Sequence, residues 1–159
     1  MLIRNLSNEA IKKLAAFGFS KNSDINHEQE GGNALWGWYS FTPLMYAAYQ
    51  GDILLVKELV INGADLNRKD EFFSFTALMW AADAGRDKVV EHLLKAGADS
   101  THTSKYRDKD VDAYSLSKNK QGSCCSIIGF WHKAQKVLGT ADFDNTCELL
   151  NSYRKTNLL

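Results

Sequence analysis

Two stretches of this chain repeat one another at an offset of 34 residues, and no other feature constrains its folding as strongly. Thr42-Pro43-Leu44-Met45-Tyr46-Ala47-Ala48-Tyr49-Gln50-Gly51 returns as Thr76-Ala77-Leu78-Met79-Trp80-Ala81-Ala82-Asp83-Ala84-Gly85. At the same offset Leu55-Val56-Lys57-Glu58-Leu59-Val60 returns as Val89-Val90-Glu91-His92-Leu93-Leu94, and Asn62-Gly63-Ala64-Asp65 as Ala96-Gly97-Ala98-Asp99. A unit this short cannot bury an apolar face alone, so it must stack on its neighbours.

Each part of the unit has a local physical reading. Thr42 and Thr76 are placed to cap a helix, their hydroxyls accepting from an orphan N–H of the first turn. Pro43, the only proline, follows at the first helical position, where its missing N–H costs nothing. The alanine pairs allow close approach of a second helix, and Gly51 and Gly85 can end the first in the left-handed conformation. Leu55, Val56, Leu59 and Val60 share one face of the second helix, as do Val89, Val90, Leu93 and Leu94. Gly63 and Gly97 close it, and the Ala-Asp that follows is turn chemistry leading into an extended connection.

This pattern resembles the ankyrin repeat over roughly residues 34 to 101. The resemblance implies an all-α solenoid of helix-turn-helix units joined by β-turn fingers. Two departures stand out. The family's histidine after Thr-Pro-Leu is Met45 in one copy and Met79 in the other, so apolar packing is expected to replace the hydrogen bonds that histidine makes. The period exceeds the family's 33 by one residue, which implies a slightly longer connection through Glu71, Phe72, Phe73, Ser74 and Phe75.

The flanks extend the stack. Asn8 to Gly18 resembles a second helix ending at its glycine, and Asp24-Ile25-Asn26 mimics Asp65-Leu66-Asn67, followed by a long loop from His27 to Tyr39. Towards the C-terminus, Asp112 to Lys118 keeps the spacing of a degenerate first helix, and Asp142 to Leu150 resembles Asp52 to Val60. Between them, Ser123 to Thr140 is either an insertion, helical from Ile127 to Leu138, or the first helix of a decayed fourth repeat. The expected organisation is one domain over 1–159: a half-repeat cap and loop (1–33), repeats at 34–70 and 71–103, and a degenerate C-terminal part (104–159) with an insertion at 123–140.

Composition narrows the function. Nineteen basic and 19 acidic side chains give a formal net charge of zero, no footprint for a phosphate backbone. Nucleic acid is therefore not an expected partner. The segment between Gly31 and Gly51 lacks charge but is too polar to span a membrane. Three cysteines, two of them adjacent, and an N-terminus without an apolar signal core suit a reducing cytoplasm.

The resemblance implies protein binding through the concave face and fingertips. Matching positions are Tyr49 and Gln50, Asp83, and the tip residues Arg68, Lys69, Phe72 and Phe73, with Arg107 and Asp108 at the next tip. Six of the 18 aromatic residues fall between Trp36 and Tyr49. Aromatic residues anchor interfaces at low entropic cost. Trp36, Trp38, Tyr39, Phe72 and Phe73 are thus candidates for an apolar strip along the fingers, with sealing of the irregular cap as the structural alternative for Trp36 and Trp38. Tyr46 and Trp80 suit core packing better.

Catalytic chemistry has little support. Cys124 and Cys125 with His132 and Cys147 lack zinc-ligand spacing, and no third group orients a Cys-His nucleophile. Neither a metal nor a cofactor is expected. Ile127 to Trp131 with Lys133 and Lys136 could contact a membrane beside acylated cysteines, but packing on the last repeat explains the pattern more simply. The reading is a non-enzymatic, monomeric protein-interaction module; a dedicated inhibitor or immunity protein with one cognate target is the alternative, and an enzyme on an elaborated solenoid comes third. If Trp36→Ala with Trp38→Ala lowers the melting temperature by many degrees, the strip is structural.

Overall fold

The computed structural model describes residues 1–30, 40–106, 109–118 and 143–156. The predicted insertion at 123–140 lies outside the described residues. The described residues form seven α-helices: α1 (Asn8–Phe17), α2 (Pro43–Gln50), α3 (Ile53–Ile61), α4 (Ala77–Asp83), α5 (Asp87–Lys95), α6 (Ala113–Lys118) and α7 (Phe143–Thr156). Two short antiparallel hairpins join them, β1 (Gln29–Glu30) with β2 (Ser40–Phe41), and β3 (Ser104–Tyr106) with β4 (Lys109–Val111). The described residues are thus mostly helical, and their strands lie in the connections.

The caps form as the residue pattern implies. Thr42 and Thr76 accept from the N–H groups of Met45 and Met79 at 3.2 and 3.4 Å, and Pro43 opens α2. Met45 does more than pack: it is fully buried, and its Sδ accepts from Thr42 N–H at 3.5 Å. Met79 is buried like Met45, in line with apolar packing at the position of the family's histidine, and the bond to the Met45 sulfur is an addition within one repeat. Asp112 and Ser115 repeat the arrangement at α6, Ser115 N–H donating to Asp112 Oδ1 at 2.7 Å and Asp112 N–H to Ser115 Oγ at 2.9 Å.

Packing follows the period. α2 lies on α4 and α4 on α6, while α2 pairs with α3, α4 with α5 and α6 with α7; α5 also packs on α7. Both alanine pairs are completely buried between these helices, with Leu44, Met45, Leu78 and Met79. Small side chains permit the approach, and each buried leucine-sized neighbour contributes about 1.5–3 kcal/mol. Leu55, Val56 and Leu59 of α3 and Val89, Val90, Leu93 and Leu94 of α5 face inward, with Val60 half-buried against them. On the cap side, α1 is fastened to α3 by Glu58, which accepts from both the N–H and the hydroxyl of Ser7, and by Lys13 at 2.7 Å from Asp52.

The joint between the two clearest repeats rests on Gly51 and Arg86. Gly51 ends α2 at φ 80°, and an added Cβ would lie 2.8 Å from Arg86 Cδ. Arg86 occupies the position that Asp52 holds one repeat earlier. It caps nothing; instead its Nε donates to the Tyr49 carbonyl at 3.1 Å, tying α5 back to α2. Only 7% exposed, it cannot withdraw without losing that bond. Gly63 has nearly the same φ, 81°, but open space where its Cβ would be. Gly63→Ala should therefore cost about 1 kcal/mol from backbone strain alone, and Gly51→Ala about 2–4 kcal/mol from strain plus overpacking, as read by urea unfolding.

Candidate functional site

The connections between units share one construction. Each begins with the same device, an aspartate whose side chain accepts from the backbone two residues on: Asp24 from Asn26, Asp65 from Asn67, Asp99 from Thr101, all at 2.8–2.9 Å. The turns are then linked across units. Asp65 N–H donates to Asn26 Oδ1 at 2.8 Å and Asp99 N–H to Asn67 Oδ1 at 2.9 Å.

The middle finger, between Asn67 and Thr76, is wound around one carboxylate. Asp70 is 3% exposed; its Oδ1 accepts from the N–H groups of Phe72 and Phe73, and its Oδ2 from Phe75 N–H and the Trp80 indole. Asp70 N–H donates to the Phe75 carbonyl and Ser74 N–H to that of Asp70, closing the loop, with Ser74 in the left-handed region at φ 55°. The extra residue expected to lengthen this connection sits in a compact loop, and this is the shortest of the three fingers in sequence (compare 27–41 and 102–111).

The loop is braced from both sides. Glu28, in the preceding connection, receives Arg68 Nε at 3.3 Å and Ser40 Oγ at 3.0 Å. In the following one, the His102 ring nitrogen lies 2.9 Å from the Ser74 carbonyl, and Ser104 Oγ donates to the Phe73 carbonyl. The Phe73 ring packs 5.5 Å from both Phe75 and Tyr106 and 6.1 Å from Trp80. Phe72 alone of this aromatic group turns outward, 56% exposed, with exposed Arg68, Lys69 and Glu71 nearby in sequence.

Several expected contact residues are placed otherwise. Tyr49 is fully buried, its ring 5.9 Å from Trp80, and Asp83 is 5% exposed. These two are one position of the repeat, 34 residues apart, and that position is covered where α2 lies on α4 and α4 on α6. Their assignment to a partner-binding surface is corrected accordingly. Phe73 is half-buried and serves the finger's base. Gln50 is half-buried at the far end of α2, in a groove of about 320 Å³ with Lys13, Tyr46 and Asp52. That places it about 12 Å from the finger end of the helix. Trp36, Trp38, Tyr39, Arg107 and Asp108 lie outside the described residues, as do Cys124, Cys125 and His132. Cys147 is a half-buried free thiol, and no group of three metal-ligating side chains occurs among the described residues.

Residues 2–104 match the family model of ankyrin repeats, in three copies. The chain belongs to the ankyrin-repeat family. No curated protein matches it at a significant level. Ankyrin repeats are generally protein–protein interaction modules and are typically non-enzymatic. No helix among the described residues is long and apolar enough to cross a membrane.

Asp70 was not singled out among the sequence candidates, although its place before an aromatic run in the connection marks it. Burial pushes its carboxyl above the ordinary carboxylate range, outweighing the four N–H donors that pull it down. The folded chain therefore takes up this proton more readily than the unfolded chain, and the associated stability is greatest below the ordinary value and lost as pH rises through the raised one. Asp70→Asn turns an amide NH₂ towards N–H donors and should cost about 2–3 kcal/mol. In denaturant titrations from about pH 4 to about pH 7, the gap between the native chain and Asp70→Asn should narrow as pH rises; a widening gap would refute the assignment.

Proposed function

We propose that this chain is a non-enzymatic module that stacks its repeats as a solenoid and binds a protein partner along its fingers. Phe72 is the anchor, with Arg68 and Lys69 beside it. The supporting observation is the exposure of Phe72 on a loop held by Asp70 and braced by Glu28 and Ser104. An aromatic ring already held in its binding position loses little entropy on association. Trp36, Trp38 and Tyr39 on one side, and Arg107 and Asp108 on the other, belong by sequence to the flanking connections and are assigned to the edges of the same surface.

In this reading α6 and α7 complete the stack, closing α4 and α5 as a terminal unit must. The free chain is monomeric and cytoplasmic.

Affinity purification from the native host followed by mass spectrometry tests the proposal. The native chain should retain at least one protein that Phe72→Ala loses, the substitution weakening binding by about 2 kcal/mol or more, roughly thirtyfold, without changing the melting temperature. One partner at equal stoichiometry would indicate a dedicated inhibitor, several an adaptor. Equal recovery by Phe72→Ala would remove the finger from the partner surface.

A further inference from the structure

The outer face of α3 and α5 carries a second surface unrelated to the fingers. α3 is apolar almost all round, Ile53-Leu54-Leu55-Val56-Lys57-Glu58-Leu59-Val60-Ile61, yet only part of it is buried. Leu54 is 71% exposed and Ile61 83%. With Lys57 between them they form one stripe at helical spacing.

The fold does not call for this. One repeat on, the positions of Leu54 and Ile61 hold Lys88 and Lys95. Aligned on the glycines Gly18 and Gly63, they correspond in α1 to Glu9 and Ala16. A neighbouring unit thus fills both solvent-facing places with lysine, so large aliphatic groups here serve no packing need. Exposed apolar side chains grouped in this way mark contact sites.

The adjoining groove supplies the chemistry of what would cover them. Lys57, Lys88, Lys95, Glu91, His92 and Ile53 line a cavity of about 420 Å³ between α3 and α5. Lys95 is engaged by Glu91 at 2.5 Å, and Glu58, on the α1 side, is held by Ser7. Lys57 and Lys88 make no ion pair with the described residues, which leaves the groove positive. The Nε2 of His92 is buried there and has no hydrogen-bond partner among the described residues. Burial, with Lys57 and Lys95 nearby, lowers the imidazole's pKa.

We propose that the α3–α5 outer face docks an acidic amphipathic helix of a partner protein, its apolar side chains on Leu54 and Ile61 and its carboxylates on Lys57 and Lys88. Apolar spacing selects a helix with one hydrophobic stripe, and the unneutralised lysines select acidic flanks.

The full chain, labelled for NMR, is titrated with a synthetic helical peptide of roughly 18 residues carrying leucine on one face and glutamate on the others, and with its counterpart in which lysine replaces glutamate. The acidic peptide should bind and shift the amides of Leu54, Lys57, Ile61, Lys88 and His92, the basic one should not, and affinity should fall as salt rises from about 50 to about 500 mM. Lys57→Glu with Lys88→Glu, and separately Leu54→Ser with Ile61→Ser, should each weaken binding about tenfold at unchanged melting temperature. Binding absent at ~1 mM peptide, equal binding of the basic peptide, indifference to either double substitution, or shifts centred on Phe72 would overturn the proposal.

Discussion

The hydrogen bonds that pass from one unit's turn to the next hold this architecture in register. Asn26 receives the N–H of Asp65, and Asn67 receives that of Asp99. Hydrophobic burial between α2 and α4 is strong but non-directional, and it would tolerate sliding of one helix along the other. A side-chain amide oxygen within hydrogen-bond distance of one backbone N–H tolerates none. Because each asparagine is itself held in a turn by the aspartate two residues earlier, the link is rigid at both ends. Apolar packing supplies the energy of stacking, and these polar links choose one stacking from those that packing alone would allow.

The middle finger extends the same logic at greater expense. Burying a carboxylate is costly unless it is fully hydrogen-bonded. Three backbone N–H groups and the Trp80 indole offset part of that cost for Asp70, so the loop cannot rearrange without exposing donors or stranding the carboxyl. The arrangement also explains why aromatic residues crowd this region. Phe41, Trp80, Phe73, Phe75 and Tyr106 form a run of ring contacts beneath the fingers, with Phe41 and Trp80 4.9 Å apart and Phe75 and Trp80 5.4 Å apart. Most of the aromatic content here shields a polar loop and a joint between units, while Phe72 is more than half exposed.

What the sequence disclosed follows the range of the interactions involved. Thr42 and Thr76 as caps, Gly18 and Gly51 as helix ends, and the inward faces of α3 and α5 are consequences of residues within one turn of one another, so they were legible. The burial of Tyr49 and Asp83 was not, because it depends on a neighbouring helix lying across them. At the sequence level one is aromatic and one charged, which hides that they are a single repeat position. Arg86 misleads similarly. It stands where an N-capping aspartate belongs, and only the three-dimensional joint shows it reaching back to the Tyr49 carbonyl. Asp70 drew no reading of its own, because its four donors converge on it only once the loop has closed and Trp80 lies over it.

Charge carries the same lesson further. A formal net charge of zero argues against a polyelectrolyte partner, and acidic and basic residues are spread along the chain. Spacing in sequence is not spacing in a stacked fold, however. A period of 34 brings Lys57 beside the turn of α5 that holds His92, and places Lys88 and Lys95 level with Leu54 and Ile61, so residues more than thirty positions apart share one groove. Nearby carboxylates are already occupied: Glu91 by Lys95, Glu58 by Ser7, and Asp87 by Asn145 of α7. The local excess of positive charge is thus a matter of placement, Lys57, Lys88 and Lys95 lining the groove against one carboxylate, Glu91, while the total stays at zero. A neutral chain can present a selective charged surface in this way, and the periodicity that builds the stack is also what gathers it.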